Sequence, residues 1–125
     1  MKRKILIVED NVGLSQIQKD WFEQAGYDAI TAMNEPVARA LIRKNKFDLI
    51  LSDVRLPEGD GISLLEWLRK EKRDIPFIIT TEYVSVPDVV RTIKMGARDY
   101  LPKPVRREHL LELAEEVFLS LIHIS

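Results

Sequence analysis

The chain has 125 residues, 46% of them hydrophobic and 31% charged, with a formal net charge of −1. That length suits one domain with a real core, and the balanced charge gives no global pull toward nucleic acid or an anionic membrane. The absence of cysteine excludes disulfides, thiolate metal sites and a cysteine nucleophile, while the apolar run after the basic Met1–Lys4 is too short for a signal peptide or a membrane span, so the cytoplasm is the expected location.

In chain order, Ile5–Val8 reads as a fully buried strand ending at Glu9, Asp10 and Asn11. Leu14, Ile17, Trp21, Phe22 and Ala25 form a helical apolar stripe closed by Gly26. Tyr27–Thr31 is a weaker strand pattern, and Asn34 with Pro36 opens a second helix. Leu49–Leu51 is a third strand running into Asp53, followed by a loop through Pro57 and Asp60-Gly61. Leu64, Leu65 and Leu68 line the third helix, and Phe77–Ile79 is a fourth strand reaching Thr80, Thr81 and Glu82. Ser85 and Asp88 make a capping box before Val89, Val90 and Ile93, with Gly96 as the stop. Asp99–Leu101 is a short fifth strand before Pro102-Lys103-Pro104, and Leu110, Leu113, Ala114, Val117 and Leu121 line the last helix.

Five βα units predict an α/β fold: one doubly wound, five-stranded parallel sheet with right-handed crossovers and helices on both faces, forming one domain over residues 1–125. In such sheets the site lies outside the carboxyl ends of the strands. That rule gathers Glu9, Asp10, Asp53, Thr81 and Lys103. A bare carboxylate ending a buried strand is costly, and clustered carboxylates raise one another's pKa. A hard divalent cation such as Mg²⁺ relieves that crowding and commonly binds one or two carboxylates together with phosphate. A carboxylate nucleophile, a metal and a lysine are the parts that aspartyl phosphate chemistry needs.

The ordered set Glu9-Asp10, Asp53, Pro57, Asp60-Gly61, Thr81, Tyr100 and Lys103-Pro104 resembles the response-regulator receiver domains of two-component signalling, and the stretch Lys94–Pro104 is especially similar. The resemblance spans the first strand to the last helix and implies a flavodoxin-like (βα)5 fold. It implies that Asp53 accepts a phosphoryl group from the phosphohistidine of a sensor kinase or phosphotransfer protein. Asp10, Asp53 and the backbone carbonyl of Arg55 would bind Mg²⁺, with Glu9 helping through water. Lys103 would contact the phosphoryl group, Thr81 and Tyr100 would form the switch pair, and a cis peptide is expected before Pro104. Thr80 is the competing hydroxyl, but strand alternation turns it aside. The implied role is signalling rather than enzymatic turnover, with self-catalysed phosphorylation and dephosphorylation only.

The readout surface implied is the fourth helix, fifth strand and fifth helix, carrying Arg91, Lys94, Arg98, Asp99 and Glu108. These charges either pair across a symmetric homodimer or form a solvated face. Lys2-Arg3-Lys4 reads as a solvated strand lead-in rather than a nucleic-acid arm, so no nucleic acid or membrane contact is expected of this domain. His109 and His123 lack metal or catalytic spacing, Trp67 reads as a partly exposed helix residue, and the tail 119–125 is unusually apolar.

Three residues depart from the family pattern or tune it. Glu82 stands where the family usually has Ala or Gly and is expected to slow phosphorylation or bias the switch. Arg55 and Tyr83 are large at positions that tune phosphate loss, and are expected to shield the phosphoryl group from water. Rival readings are an Asp-nucleophile phosphatase, a flavin module and a receiver acting through contacts alone. A phosphatase wants a second acid where Arg55 stands, and a flavin phosphate would meet Glu9-Asp10 instead of a hydroxyl- and glycine-rich loop.

Overall fold

The computed structural model describes residues 1–122, with side chains through 120. The stripe position at Leu121 and the tail containing His123 therefore lie outside the described side chains. Ten elements alternate: β1 (Lys4–Val8), α1 (Val12–Gln24), β2 (Asp28–Ala32), α2 (Glu35–Lys44), β3 (Leu49–Asp53), α3 (Gly61–Lys70), β4 (Phe77–Thr81), α4 (Val86–Lys94), β5 (Asp99–Pro102) and α5 (Arg107–Ile122). The strands form one parallel sheet in the order β2-β1-β3-β4-β5. The order reverses between β1 and β3, which opens a crevice at their carboxyl ends.

Alternation along each strand divides the core in two. Leu6, Val8, Ile50, Phe77 and Ile79 meet Ala38 and Ile42 of α2 and Leu64, Leu65 and Leu68 of α3. Ile5, Ile7, Leu49, Leu51 and Ile78 meet Phe22 of α1 and Leu110, Ala114 and Val117 of α5. Both faces of β1, β3 and β4 are covered, which is why these strands read as unbroken apolar runs.

Helix starts follow the capping chemistry. Asn34 accepts from the Val37 amide at 2.9 Å, and Ser85 accepts from the Asp88 amide at 3.4 Å. Asn11, next to Asp10, and Asp60, at the end of the β3–α3 loop, cap α1 and α3 through the Leu14 and Ser63 amides. Gly26 and Gly96 end α1 and α4 at φ +97° and +88°, a conformation that favours glycine.

Helix α1 differs from its sequence pattern. Only Phe22 of the apolar stripe is buried, alongside Ser15 and Gln18. Ile17 is 49% exposed and Ala25 is also exposed. Small Ser15 lets the helix approach the sheet on the 15/18/22 line, leaving 14/17/21 about 100° around the axis. That displaced stripe faces Pro104 and Val105 across a groove of about 500 Å³ that also reaches Lys103.

Candidate functional site

β1 and β3 deliver their acids to the same crevice. Glu9 follows β1 and is 3% exposed; Asp53 ends β3 and is 7% exposed; Asp10 is exposed at the rim. Carboxylate oxygens of Glu9, Asp10 and Asp53 all lie within 4.8 Å of one another. The Lys103 ammonium enters from the β5–α5 loop, 2.6 Å from Glu9 Oε1 and 2.8 Å from Asp53 Oδ2. A cis Lys103–Pro104 peptide and a 2.7 Å bond from the Lys103 amide to the Thr81 carbonyl hold that loop.

The electrostatics follow from this crowding. Burial pushes the Glu9 carboxyl above its ordinary 4.5, against the pull of Lys103 and the Asn11 amide, and the Asp53 charge adds to the rise. Burial alone would lower Lys103, but its hydrogen bonds to Asp53 and Glu9 win and hold it above 10.5. One ammonium thus serves two nearly buried carboxylates, and among the described residues no cation pairs with the third, Asp10. Hard oxygen donors so arranged suit Mg²⁺.

Asp53, Asp10, Arg55, Leu56, Pro57 and Glu82 line a pocket of about 340 Å³. Gly61 lets its wall close, because a Cβ there would come within 2.2 Å of the Asp53 carbonyl oxygen. The Arg55 guanidinium lies 4.8 Å from the Tyr83 ring centroid, joining the β3–α3 and β4–α4 loops. Glu82, exposed, borders both this pocket and the groove along α1.

Thr80 and Thr81 are each 2% exposed. The Thr81 hydroxyl is engaged locally: it donates to the Tyr83 carbonyl at 3.0 Å and accepts from the Tyr83 amide at 3.1 Å. The Tyr100 hydroxyl is buried without a well-formed hydrogen bond. Burial raises its pKa, although the Ser85 backbone and Thr81 hydroxyl are near enough to pull the other way.

The structure thus brings Glu9, Asp10, Asp53 and Lys103 together, and Arg55, Glu82 and Tyr83 rim them. Thr81 and Tyr100 adjoin one another beside the β4–α4 loop. His109 is exposed in the first turn of α5 and is not among the residues lining this crevice. Sequence reading passed over Glu35, because an acid just after an Asn cap looks like an ordinary first-turn residue. It is 4% exposed and hydrogen-bonds the far side of the β3–α3 loop.

A parallel (βα)5 sheet with an acidic crevice at the β1/β3 reversal defines a receiver-type signalling domain. The chain belongs to the response regulator receiver domain family, whose model matches residues 5–115. It is 33% identical to the response regulator protein PilR of Pseudomonas aeruginosa over 90% of this chain, and spans about a quarter (25%) of that relative's length. It is 34% identical to the polar-differentiation response regulator DivK of Brucella anthropi, covering 90% of this chain and 93% of DivK. Among solved structures, a CheY-like receiver domain protein from Methanospirillum hungatei matches with a TM-score of 0.88 at 33% identity, covering 93% of each chain. The non-phosphorylated HemR receiver domain of Leptospira biflexa matches at 0.86 and 36%, covering 93% of this chain and 94% of that one. The chain is thus a receiver domain of a two-component response regulator, with the flavodoxin-like (βα)5 fold expected from its sequence and shared with its CheY-like structural neighbour.

Proposed function

We propose that Asp53 is the phosphoacceptor of this receiver. The observation that carries the reading is Lys103 Nζ, held within 2.8 Å of Asp53 Oδ2 and 2.6 Å of Glu9 Oε1 at the mouth of an open pocket. An Asp53 oxygen attacks the phosphorus of a phosphohistidine; the P–O bond forms as the P–N bond breaks, and the imidazole leaves with the electron pair and takes up a proton. Water attack on the same phosphorus later returns Asp53 and inorganic phosphate. Asp10, Asp53 and the Arg55 carbonyl would hold Mg²⁺, with Glu9 acting through water. Mg²⁺ would neutralise charge on the phosphoryl oxygens, while Lys103 would exchange a carboxylate contact for one of those oxygens.

The partner is a sensor histidine kinase or phosphotransfer protein, and the domain works in the cytoplasm. The groove beside Lys103, with Leu14, Ile17 and Trp21 on one side and Pro104 and Val105 on the other, supports docking of such a partner. Its apolar lining borders the reacting groups, and of the stripe on α1 only Phe22 is buried, while Ile17 stays exposed beside the groove.

Switching would free Thr81 from Tyr83 to meet a phosphoryl oxygen, and Tyr100 would follow Thr81. The readout surface is α4-β5-α5. Its charges are partly spoken for within the chain: Arg91 lies 2.5 Å from Glu66, and Arg98 donates to Ser120 at 3.2 Å. Val86, Val90 and Ile93 form an exposed apolar line along α4. Dimerisation through this surface would therefore combine that line with Lys94 and the charges released on switching.

Acetyl phosphate with Mg²⁺ tests the site by intact mass and size analysis. One phosphoryl adduct on the wild type and none on Asp53→Asn is the expected result. An adduct on both would move the acceptor elsewhere, and none on either would favour a receiver acting by contacts alone. A dimer forming only with the adduct supports the α4-β5-α5 readout; an unchanged monomer counts against dimerisation.

A further inference from the structure

Glu35 is the first residue of α2, and its burial there needs a cause. An acid in a first turn gains from the helix dipole and from an i,i+4 arginine while staying in water. Neither gain requires a 4% exposed carboxylate. Its bonds explain the position. Oε1 accepts from the Asp60 amide at 3.0 Å, and Oε2 accepts from the Ser63 hydroxyl at 3.1 Å and from Arg39 Nε at 2.8 Å. The Glu35 amide donates to the Glu58 carbonyl at 3.1 Å. Three partners, Glu58, Asp60 and Ser63, belong to the β3–α3 loop and the turn that follows it.

That loop is a closed ring. Arg55 and Asp60 form an isolated antiparallel bridge, and the Gly61 amide donates to the Val54 carbonyl at 2.9 Å. Holding Asp60 therefore holds Arg55 across the bridge. Gly59, at φ +76°, completes the fit: a Cβ there would sit 2.4 Å from Glu35 Oε1, so only glycine lets the loop settle onto the carboxylate. Arg39 supplies the counter-charge, and its guanidinium also lies 4.9 Å from the Trp67 ring centroid on α3.

We propose that Glu35 is a positioning residue for the phosphorylation site, ordering the 54–60 loop from its outer side so that the Arg55 carbonyl is preset for the divalent cation. The inference rests on the reading of Asp53, Asp10 and the Arg55 carbonyl as the cation site. Glu35 lies on the opposite flank of the loop and touches neither the cation nor phosphate.

Two variants separate charge from hydrogen bonding. Glu35→Gln keeps an acceptor oxygen, and Glu35→Ala removes it. Loss of the charged acceptor is expected to speed amide hydrogen exchange across residues 55–60 by about tenfold or more in the alanine variant, with glutamine between. Titration of the protein with MgCl₂, followed by amide NMR shifts, should show Mg²⁺ binding weakened about tenfold in Glu35→Ala. Ala38→Gly, in the same helix and fully buried, supplies a matched loss of thermal stability and should leave Mg²⁺ affinity within about twofold. Unchanged Mg²⁺ affinity in Glu35→Ala, or the same weakening in Ala38→Gly, overturns the positioning role. A wild-type chain that binds no Mg²⁺ overturns the cation site itself; the exchange comparison then decides alone whether Glu35 orders the loop.

Discussion

Lys103 relieves the electrostatic crowding of the crevice, its charged form held by Asp53 and Glu9. It is shared by two carboxylates whose side chains are 3% and 9% exposed. Replacing it with methionine leaves Glu9 and Asp53 facing each other without a cation, and removing one partner of a buried pair is costly. We expect Lys103→Met to lose up to about 3 kcal/mol of stability, and millimolar Mg²⁺ to restore part of it by binding the folded state. Thermal melts with and without Mg²⁺ decide this; a variant as stable as wild type, or one indifferent to Mg²⁺, contradicts it. At the rim, the Arg55–Tyr83 stack resembles an exposed cation–π contact of about 0.5–1 kcal/mol. Either Arg55→Ala or Tyr83→Ala should therefore shorten the phosphoryl lifetime about two- to fivefold, read as dephosphorylation half-life. Glu82→Ala should speed uptake from acetyl phosphate, because Glu82 borders the pocket that the anionic donor would enter; equal uptake rates would assign Glu82 to solvent alone.

Among the helices, α4 buries the fewest of the described residues. It buries only Thr92, whose hydroxyl turns back to the Asp88 and Val89 carbonyls, while Val86, Val90 and Ile93 remain exposed. α3, by contrast, buries Ile62, Leu64, Leu65 and Leu68. Local stability follows buried apolar contact, so α4 amides should exchange faster than those of α3. Protection of α4 equal to that of α3 would refute that expectation. The strands were legible because burial on both faces leaves unbroken apolar runs. β2 and β5 were read less sharply: Tyr27–Thr31 is shifted by one residue from Asp28–Ala32, and Asp99–Leu101 gains Pro102. Both are edge strands, where half-exposed positions blur the pattern. α1 misled because periodicity reports an apolar face without saying what covers it.

Across the described residues, four groups lose protons later in the folded state than in the unfolded chain: Glu9 in the acidic range, and Tyr27, Tyr100 and Lys103 in the alkaline range. Burial raises Tyr27 and Tyr100 above 10.0, and Lys103 is held above 10.5, where its two carboxylates outweigh its own burial. An unfolded chain therefore sheds these three alkaline protons first as pH rises. The sign is then fixed by linkage: stability is unaffected by them below about pH 10 and falls as pH climbs past 10.0 toward the raised values. The double variant Tyr27→Phe/Tyr100→Phe should flatten that fall, with Lys103 accounting for the remainder. Denaturant melts between pH 9 and pH 11 measure it, and an equal slope in the variant would show that the tyrosines do not contribute. Tyr100→Phe by itself also removes a buried hydroxyl that lacks a good partner, so it should not destabilise the protein at neutral pH.

The amino-acid sequence determined the alternation of elements, the parallel sheet and the convergence of Glu9, Asp10, Asp53 and Lys103, because apolar runs and right-handed crossovers leave one place for strand-end residues to meet. It could not decide which cation balances which carboxylate, where the Thr81 hydroxyl bonds, or that the stripe on α1 lies along a groove. Those depend on helix rotation and loop closure, set by packing between residues far apart in the chain. Glu35 shows the limit most clearly. Its neighbours in sequence make it a routine helix-start acid, and only the docking of α2 against the 54–60 loop, 25 positions away at Asp60, buries it.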